Sequence, residues 1–217
     1  LCIFPFEIEM YQKEGINVHY CGHPLIKQLP EKADREQFFA KHGLDTTRPL
    51  VSIFPGSRTI ELRFLANTFI KSAKQLQKKH PEIQFCISHA PNLSDDIFDK
   101  YINGTDFKVI KGENQALLSI SDSLILASGT VALEAALYQI PMIIGYKGPW
   151  ILYLAYLLVR CIKKVSLPNI ITGEDIVPEL IQAKFNTENI CYETEKNLYN
   201  KEYRIGFIKA LGMVKEK

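Results

Sequence analysis

The sequence predicts an α/β fold, a Rossmann-like parallel sheet with helices on both faces. Three observations carry this. From residue 50 onward, strand-length apolar runs alternate with stretches of helical period, the pattern of a parallel sheet covered on both sides. The stretch 59–79 places Leu62, Leu65, Phe69, Ala73 and Leu76 on one helical face. Two junctions, Pro55-Gly56-Ser57-Arg58 and Ala127-Ser128-Gly129-Thr130, each join an apolar run to a helical pattern through small residues.

Taken in order, Leu1 to Phe6 reads as a buried strand, Glu7 to Glu14 as a helical turn ended by Gly15, and Ile16 to Tyr20 as a second, alternating strand. Cys21 to Leu25 breaks the pattern, and Pro24 and Pro30 bracket a linker. Ala33 to His42 is a helix closed by Gly43. Strands follow at 50–55, 83–88, 107–110, 123–127 and 142–146, with helices at 59–79, 94–101, 115–120 and 130–138 between them. Val165 to Asn169 reads as an extended piece and a turn, Glu174 to Ala183 as a helix, and Thr187 onward as a charged helical region. Trp150 to Val159 is an unbroken apolar run with Arg160, Lys163 and Lys164 behind it. It is too short to span a bilayer, which needs about 20 residues. A core helix, an interfacial helix with basic anchors and one wall of a lipid-chain groove all fit it.

A net charge of +2 gives no bulk electrostatic case for nucleic acid. The five cysteines, Cys2, Cys21, Cys86, Cys161 and Cys191, form no C-x-x-C pair and fit a reducing cytosol. His19 and His23 are four apart, but Gly22 and Pro24 argue against the helix a metal pair would need. The chain starts in an apolar run, LCIFPFE, without Met or a signal peptide. A fragment lacking its N-terminal part is expected.

The chemistry concentrates at the two turns. A strand, a tight turn and a helix start aim free N–H groups and a positive dipole end at one spot, which suits a phosphate or diphosphate. Gly56 allows close backbone approach, Ser57 follows it, and Arg58 adds a fixed cation with five donors. The turn is not a Walker loop. At the second turn Ser128, Gly129 and Thr130 can meet phosphate oxygens, although plain N-capping explains the hydroxyls equally well. Glu134 lies one helical turn past Thr130 among Ala132, Leu133, Ala135 and Ala136, company in which a carboxylate needs a partner. Sugar hydroxyls would serve. Asn169 is either a turn residue or a donor to a phosphate or carbonyl. No nucleophile elbow occurs.

The motifs FPFE, V-x-x-x-G-H-P-L, PGSR-x-x-E, ASGT-x-x-LE, PMIIGY, VSLPN and VPELIQ, in that order from Phe4 to about Gln182, resemble the lipid-A-disaccharide synthase family. These are membrane-associated glycosyltransferases of the GT-B type. The related transferase that builds the peptidoglycan disaccharide shares the Ser-Gly…Glu turn but not VSLPN or VPELIQ. The resemblance implies transfer of 2,3-diacylglucosamine from its UDP derivative to 2,3-diacylglucosamine 1-phosphate, with release of UDP and without metal or organic cofactor. It implies that Arg58 steadies the diphosphate as it leaves, with Gly56 and Ser57 in the same turn. Ser128, Gly129 and Thr130 would line the diphosphate and Glu134 the ribose. Asn169 would be an activity-critical polar contact and Gln182 would stand beside the donor.

On this reading residues 1–20 are a remnant of the first GT-B domain, 21–48 a linker and helix, 49–185 the UDP-sugar-binding domain, and 186–217 a C-terminal helical region. The family's general base, an aspartate of the first domain, has no counterpart here. At Gly173-Glu174-Asp175 the family often has a basic residue after the glycine. The expected setting is the cytoplasmic face of the inner membrane, with the membrane met through 150–164. The family's domain exchange between subunits is compatible with a homodimer. Two other readings are a non-catalytic nucleotide-sugar-binding remnant and a UDP-sugar epimerase of the same fold.

Overall fold

A computed structural model describes residues 1–149 and 164–216. The apolar run at 150–159, with Arg160 and Lys163, lies outside the described residues. The centre is a six-stranded sheet of β1 (Leu50–Phe54), β2 (Gln84–His89), β3 (Lys108–Lys111), β4 (Ser123–Ala127), β5 (Met142–Tyr146) and β6 (Glu179–Ile181), in the order β3-β2-β1-β4-β5-β6. Every pairing is parallel, with Val51 beside both Phe85 and Ser123. β1, β2 and β4 are buried along their whole length, so they show no polar alternation.

Helices cover both faces. Val51 and Ile53 point to one side, where α4 (Thr59–Lys79), α5 (Asp95–Ile102) and α9 (Thr187–Tyr199) supply Leu62, Phe69, Phe98 and Ile190. Leu50 and Phe54 point to the other, against α3 (Arg35–His42), α6 (Asn114–Ile120), α7 (Val131–Leu137) and α10 (Lys201–Glu216), which bring Phe39, Leu117, Leu133 and Leu211. Gly145 of β5 lies under a T-shaped pair of Phe69 and Phe185. A Cβ on it would sit 2.4 Å from Phe185, so only glycine lets those rings close on the strand.

Five expectations need correction. Leu1–Phe6 and Ile16–Tyr20 are not strands; they share one parallel bridge, Cys2 with Tyr20. The helix α1 (Pro5–Lys13) starts inside the first of them. Pro5 suits the first helical turn, and the Glu7 carboxylate accepts the N–H groups of Ile3 and Phe4, both at 3.0 Å. The linker between Pro24 and Pro30 likewise holds a short helix, α2 (Pro24–Gln28).

Val165–Asn169 is not an extended piece with a turn but leads into α8 (Leu167–Thr172), with Ser166 as its N-cap and Gly173 left-handed at its end. Nor is 174–183 a helix. Pro178 would interrupt one, and its carbonyl instead accepts Ile144 N–H at 2.9 Å, which opens the β5–β6 ladder. A 3-10 turn at Gln182–Lys184 follows.

Candidate functional site

Beyond the carboxyl ends of β1, β2 and β4 the chain opens a cavity of about 480 Å³. It sits where the strand order departs from β1 in both directions, the place where open α/β sheets bind ligands. Seven of the sequence-derived candidates line it together: Gly56, Ser57 and Arg58 from the β1–α4 turn, Ser128, Gly129 and Thr130 from the β4–α7 turn, and Glu134 from α7. Ser88, Asn92, Asn114 and Gln115 complete the polar wall, and Phe54, Leu118 and Val131 the apolar one. Among the described residues no group of His, Cys, Asp and Glu is arranged to hold a metal ion.

The first turn is built around a residue that was not among the candidates. Glu61, three positions past Arg58, folds back so that its Oε2 accepts Ser57 N–H at 2.7 Å and Arg58 N–H at 3.2 Å. Its Oε1 meets Arg58 Nη1 at 3.3 Å. The N–H groups expected to be free are therefore engaged by an internal carboxylate. The spacing is that of a capping box, the signal that could have found it. Asn92 Nδ2 donates to Ser57 O at 2.6 Å and holds the turn from the other side. The Arg58 side chain remains 76% exposed, so its guanidinium can reach a ligand in the cavity.

Gly56 has φ +110°, and a Cβ on it would lie 2.3 Å from Glu61 Oε2 and 2.6 Å from Glu61 Cβ. Both the backbone and the Glu61 contact require glycine. Gly56→Ala is therefore expected to cost about 1–3 kcal/mol, read as a fall in the melting temperature of the purified chain. An unchanged melting temperature would show that the turn relaxes freely.

At the second turn, Ser128 N–H donates to Gly145 O at 3.2 Å and its Oγ donates to Val165 O at 2.9 Å. Ser128 thus ties the cavity rim to the segment before α8. Gly129 and Thr130 are exposed, and their carbonyls accept the N–H groups of Ala132, Leu133 and Glu134 in the first turn of α7. Burial pushes the Glu134 carboxyl above its ordinary range, with a hydrogen bond from Gln115 opposing the shift. Polar ligand groups brought against Glu134 would favour its charged form.

Two candidates are not brought to the cavity. Asn169 is 1% exposed. Its Nδ2 donates to Val177 O at 2.9 Å and Glu179 Oε1 at 2.8 Å, and its Oδ1 accepts Val177 N–H at 2.9 Å. Glu179 also accepts Val165 N–H, Ser166 N–H and the Ser166 hydroxyl. Gln182 is buried with φ +51° and donates to Gly148 O at 3.2 Å. A left-handed backbone at a non-glycine residue stores strain. Asn114, Gln115 and Asn92 were missed because a lone amide carries no pattern. Only the fold brings three of them to one wall.

A Rossmann-like domain with a polar cavity at the strand switch point places the chain in a fold class, the GT-B type, which glycosyltransferases and sugar-nucleotide epimerases share. Solved structures agree. UDP-GlcNAc 2-epimerase from Neisseria meningitidis, bound to UDP-GlcNAc, matches with a TM-score of 0.60 at 16% identity, over 94% of this chain and 56% of that one. ADP-heptose LPS heptosyltransferase II of E. coli matches with a TM-score of 0.56 at 13% identity, over 81% and 57%. At such identities the likeness is one of fold.

Within that class the chain belongs to the lipid-A-disaccharide synthetase family, whose model matches residues 1–209. Lipid-A-disaccharide synthase of Geobacter sulfurreducens is 35% identical over 218 residues, covering 99% of this chain and 56% of the relative. That of Hydrogenovibrio crunogenus is 35% identical over 211 residues, covering 94% and 55%. The chain spans about half the length of the curated relatives it matches.

Proposed function

We propose that this chain is the donor-binding half of a lipid-A-disaccharide synthase. The whole protein transfers 2,3-diacylglucosamine from its UDP derivative to 2,3-diacylglucosamine 1-phosphate and releases UDP. The observation that carries this is the convergence of Gly56–Arg58, Ser128–Thr130 and Glu134 on one cavity, in a chain of this family. Arg58 meets the diphosphate and offsets the charge it gains as the glycosidic bond to it breaks, a preorganised electrostatic role. The exposed Gly129–Thr130 turn lines the phosphates, and Glu134 receives ribose hydroxyls. Asn169 and Gln182 shape the site from behind.

The group that activates the acceptor hydroxyl belongs to the other half of the enzyme, so the chain by itself binds UDP and transfers nothing. UDP is expected to raise the melting temperature of the chain, with no disaccharide formed from the two lipid substrates. Absence of any UDP stabilisation would sink the reading of the cavity, and robust transfer would sink the division of labour.

The acylated substrates, together with the apolar run 150–159 and its basic flank Arg160, Lys163 and Lys164, support a peripheral place on the cytoplasmic face of the inner membrane. Flotation with anionic vesicles that weakens with salt would support it; no binding at any salt would exclude it. Among the described residues no helix is long and apolar enough to cross a membrane. Exchange of domains in a homodimer belongs to the same proposal and would show as a dimer mass in solution.

A further inference from the structure

The charged residues lining the cavity, among those described, are Arg58, Glu61 and Glu134. An anion site walled by one cation and two carboxylates is poorly matched to tight diphosphate binding. Glu61 sharpens the mismatch, because it holds the groups a phosphate would want. Its Oε2 is anchored by two backbone N–H groups, and its Oε1 reaches the guanidinium over the long distance of 3.3 Å. The carboxylate is 22% exposed and fixed in place, whereas the Arg58 side chain is 76% exposed. Gly56 and Asn92 keep this arrangement ready before any ligand arrives.

We infer that Glu61 is a positioning residue that competes with the diphosphate for Arg58 and thereby hastens UDP release. The inference rests on the proposed function of the cavity. When the diphosphate enters, Arg58 Nη1 leaves Glu61 Oε1 for a phosphate oxygen. Ser57 and Arg58 N–H stay on Glu61 Oε2 and make no contact with the ligand. Only one long, exposed ion pair is exchanged, and such pairs cost little to break. After the sugar has been transferred, the carboxylate reclaims the guanidinium and repels the departing nucleotide. Interactions that hold substrate and product equally do not speed the chemical step, so weakening them at this point favours turnover.

Calorimetric titration of the chain with UDP tests this. Glu61→Gln keeps an acceptor for the Ser57 N–H and removes the charge. Its melting temperature is expected to stay close to that of the unaltered chain while its UDP Kd falls by about 3- to 10-fold. Glu61→Asp, which keeps the charge but withdraws it by one methylene, is expected to give an intermediate Kd. In an Arg58→Ala background the gain from Glu61→Gln is expected to shrink, because the contested partner is gone. A residue that merely capped α4 would not produce this ordering. Binding of UDP with equal or weaker affinity in Glu61→Gln overturns the inference alone. No UDP binding by the unaltered chain or any variant overturns the proposed function and the inference together.

Discussion

Arg58→Ala in the whole protein is expected to lower the rate of disaccharide formation by about 10²–10³-fold, the usual loss when one preorganised donor to developing charge is removed. The fold should scarcely notice. The side chain is 76% exposed and its ionic partner is Glu61, and such surface pairs contribute about 0–1 kcal/mol. The melting temperature is therefore expected to shift by no more than about 2–4 °C for a chain of this size. Arg58→Lys restores part of the rate, since an ammonium supplies charge without the planar fork that spans two phosphate oxygens. Initial rates of UDP release, with melting curves on the same preparations, decide the matter. A loss below about threefold would remove Arg58 from the leaving-group role.

Asn169→Ala is expected to act the other way, through stability. The amide makes three hydrogen bonds, buried ones to both polar groups of Val177 and a half-buried one to Glu179. Its removal strands the N–H and carbonyl of Val177, each at a cost of about 1–3 kcal/mol, and loosens Glu179, for a total of about 2–5 kcal/mol. At roughly 2–4 °C per kcal/mol for this size, the fall in melting temperature is about 10 °C. Activity falls with it by an indirect route. Asn169 steadies Glu179, Glu179 holds the N–H groups of Val165 and Ser166, and Val165 O receives the Ser128 hydroxyl at the cavity rim. A variant that melts like the parent protein but has lost activity would show instead that Asn169 touches the ligand directly.

The two predictions separate what could be read along the chain from what could not. Strands β1 to β5 were legible because each is a short apolar run bounded by turn residues, and α4 because its apolar face keeps helical spacing over 21 residues. Both turns of the cavity were legible too. Small residues between a buried strand and a helix start are a local signature, and Arg58 and Glu134 stand out beside them. Glu61 had a legible sign in its three-residue spacing from Arg58. That spacing could not say that its carboxylate takes the very N–H groups a phosphate was expected to find.

Position 179 shows the limit most clearly. Glu179–Ile181 is a strand because Ile144 and Gly145 offer it an edge to pair with, and three residues are too few to announce a period. Asn169 looks like a turn residue next to Pro168, yet it is buried because Val177 and Glu179 come back to meet it. By itself the sequence determined the parallel α/β class, the order of β1 to β5 along the chain and the two turns that face each other in the cavity. All of these follow from hydrophobic period and local backbone chemistry. Tertiary structure alone decided the sixth strand, the burial of Asn169 and the occupation of the first turn by Glu61. Each depends on which partner a backbone edge or polar group finds once the chain has folded, and a local pattern does not name that partner.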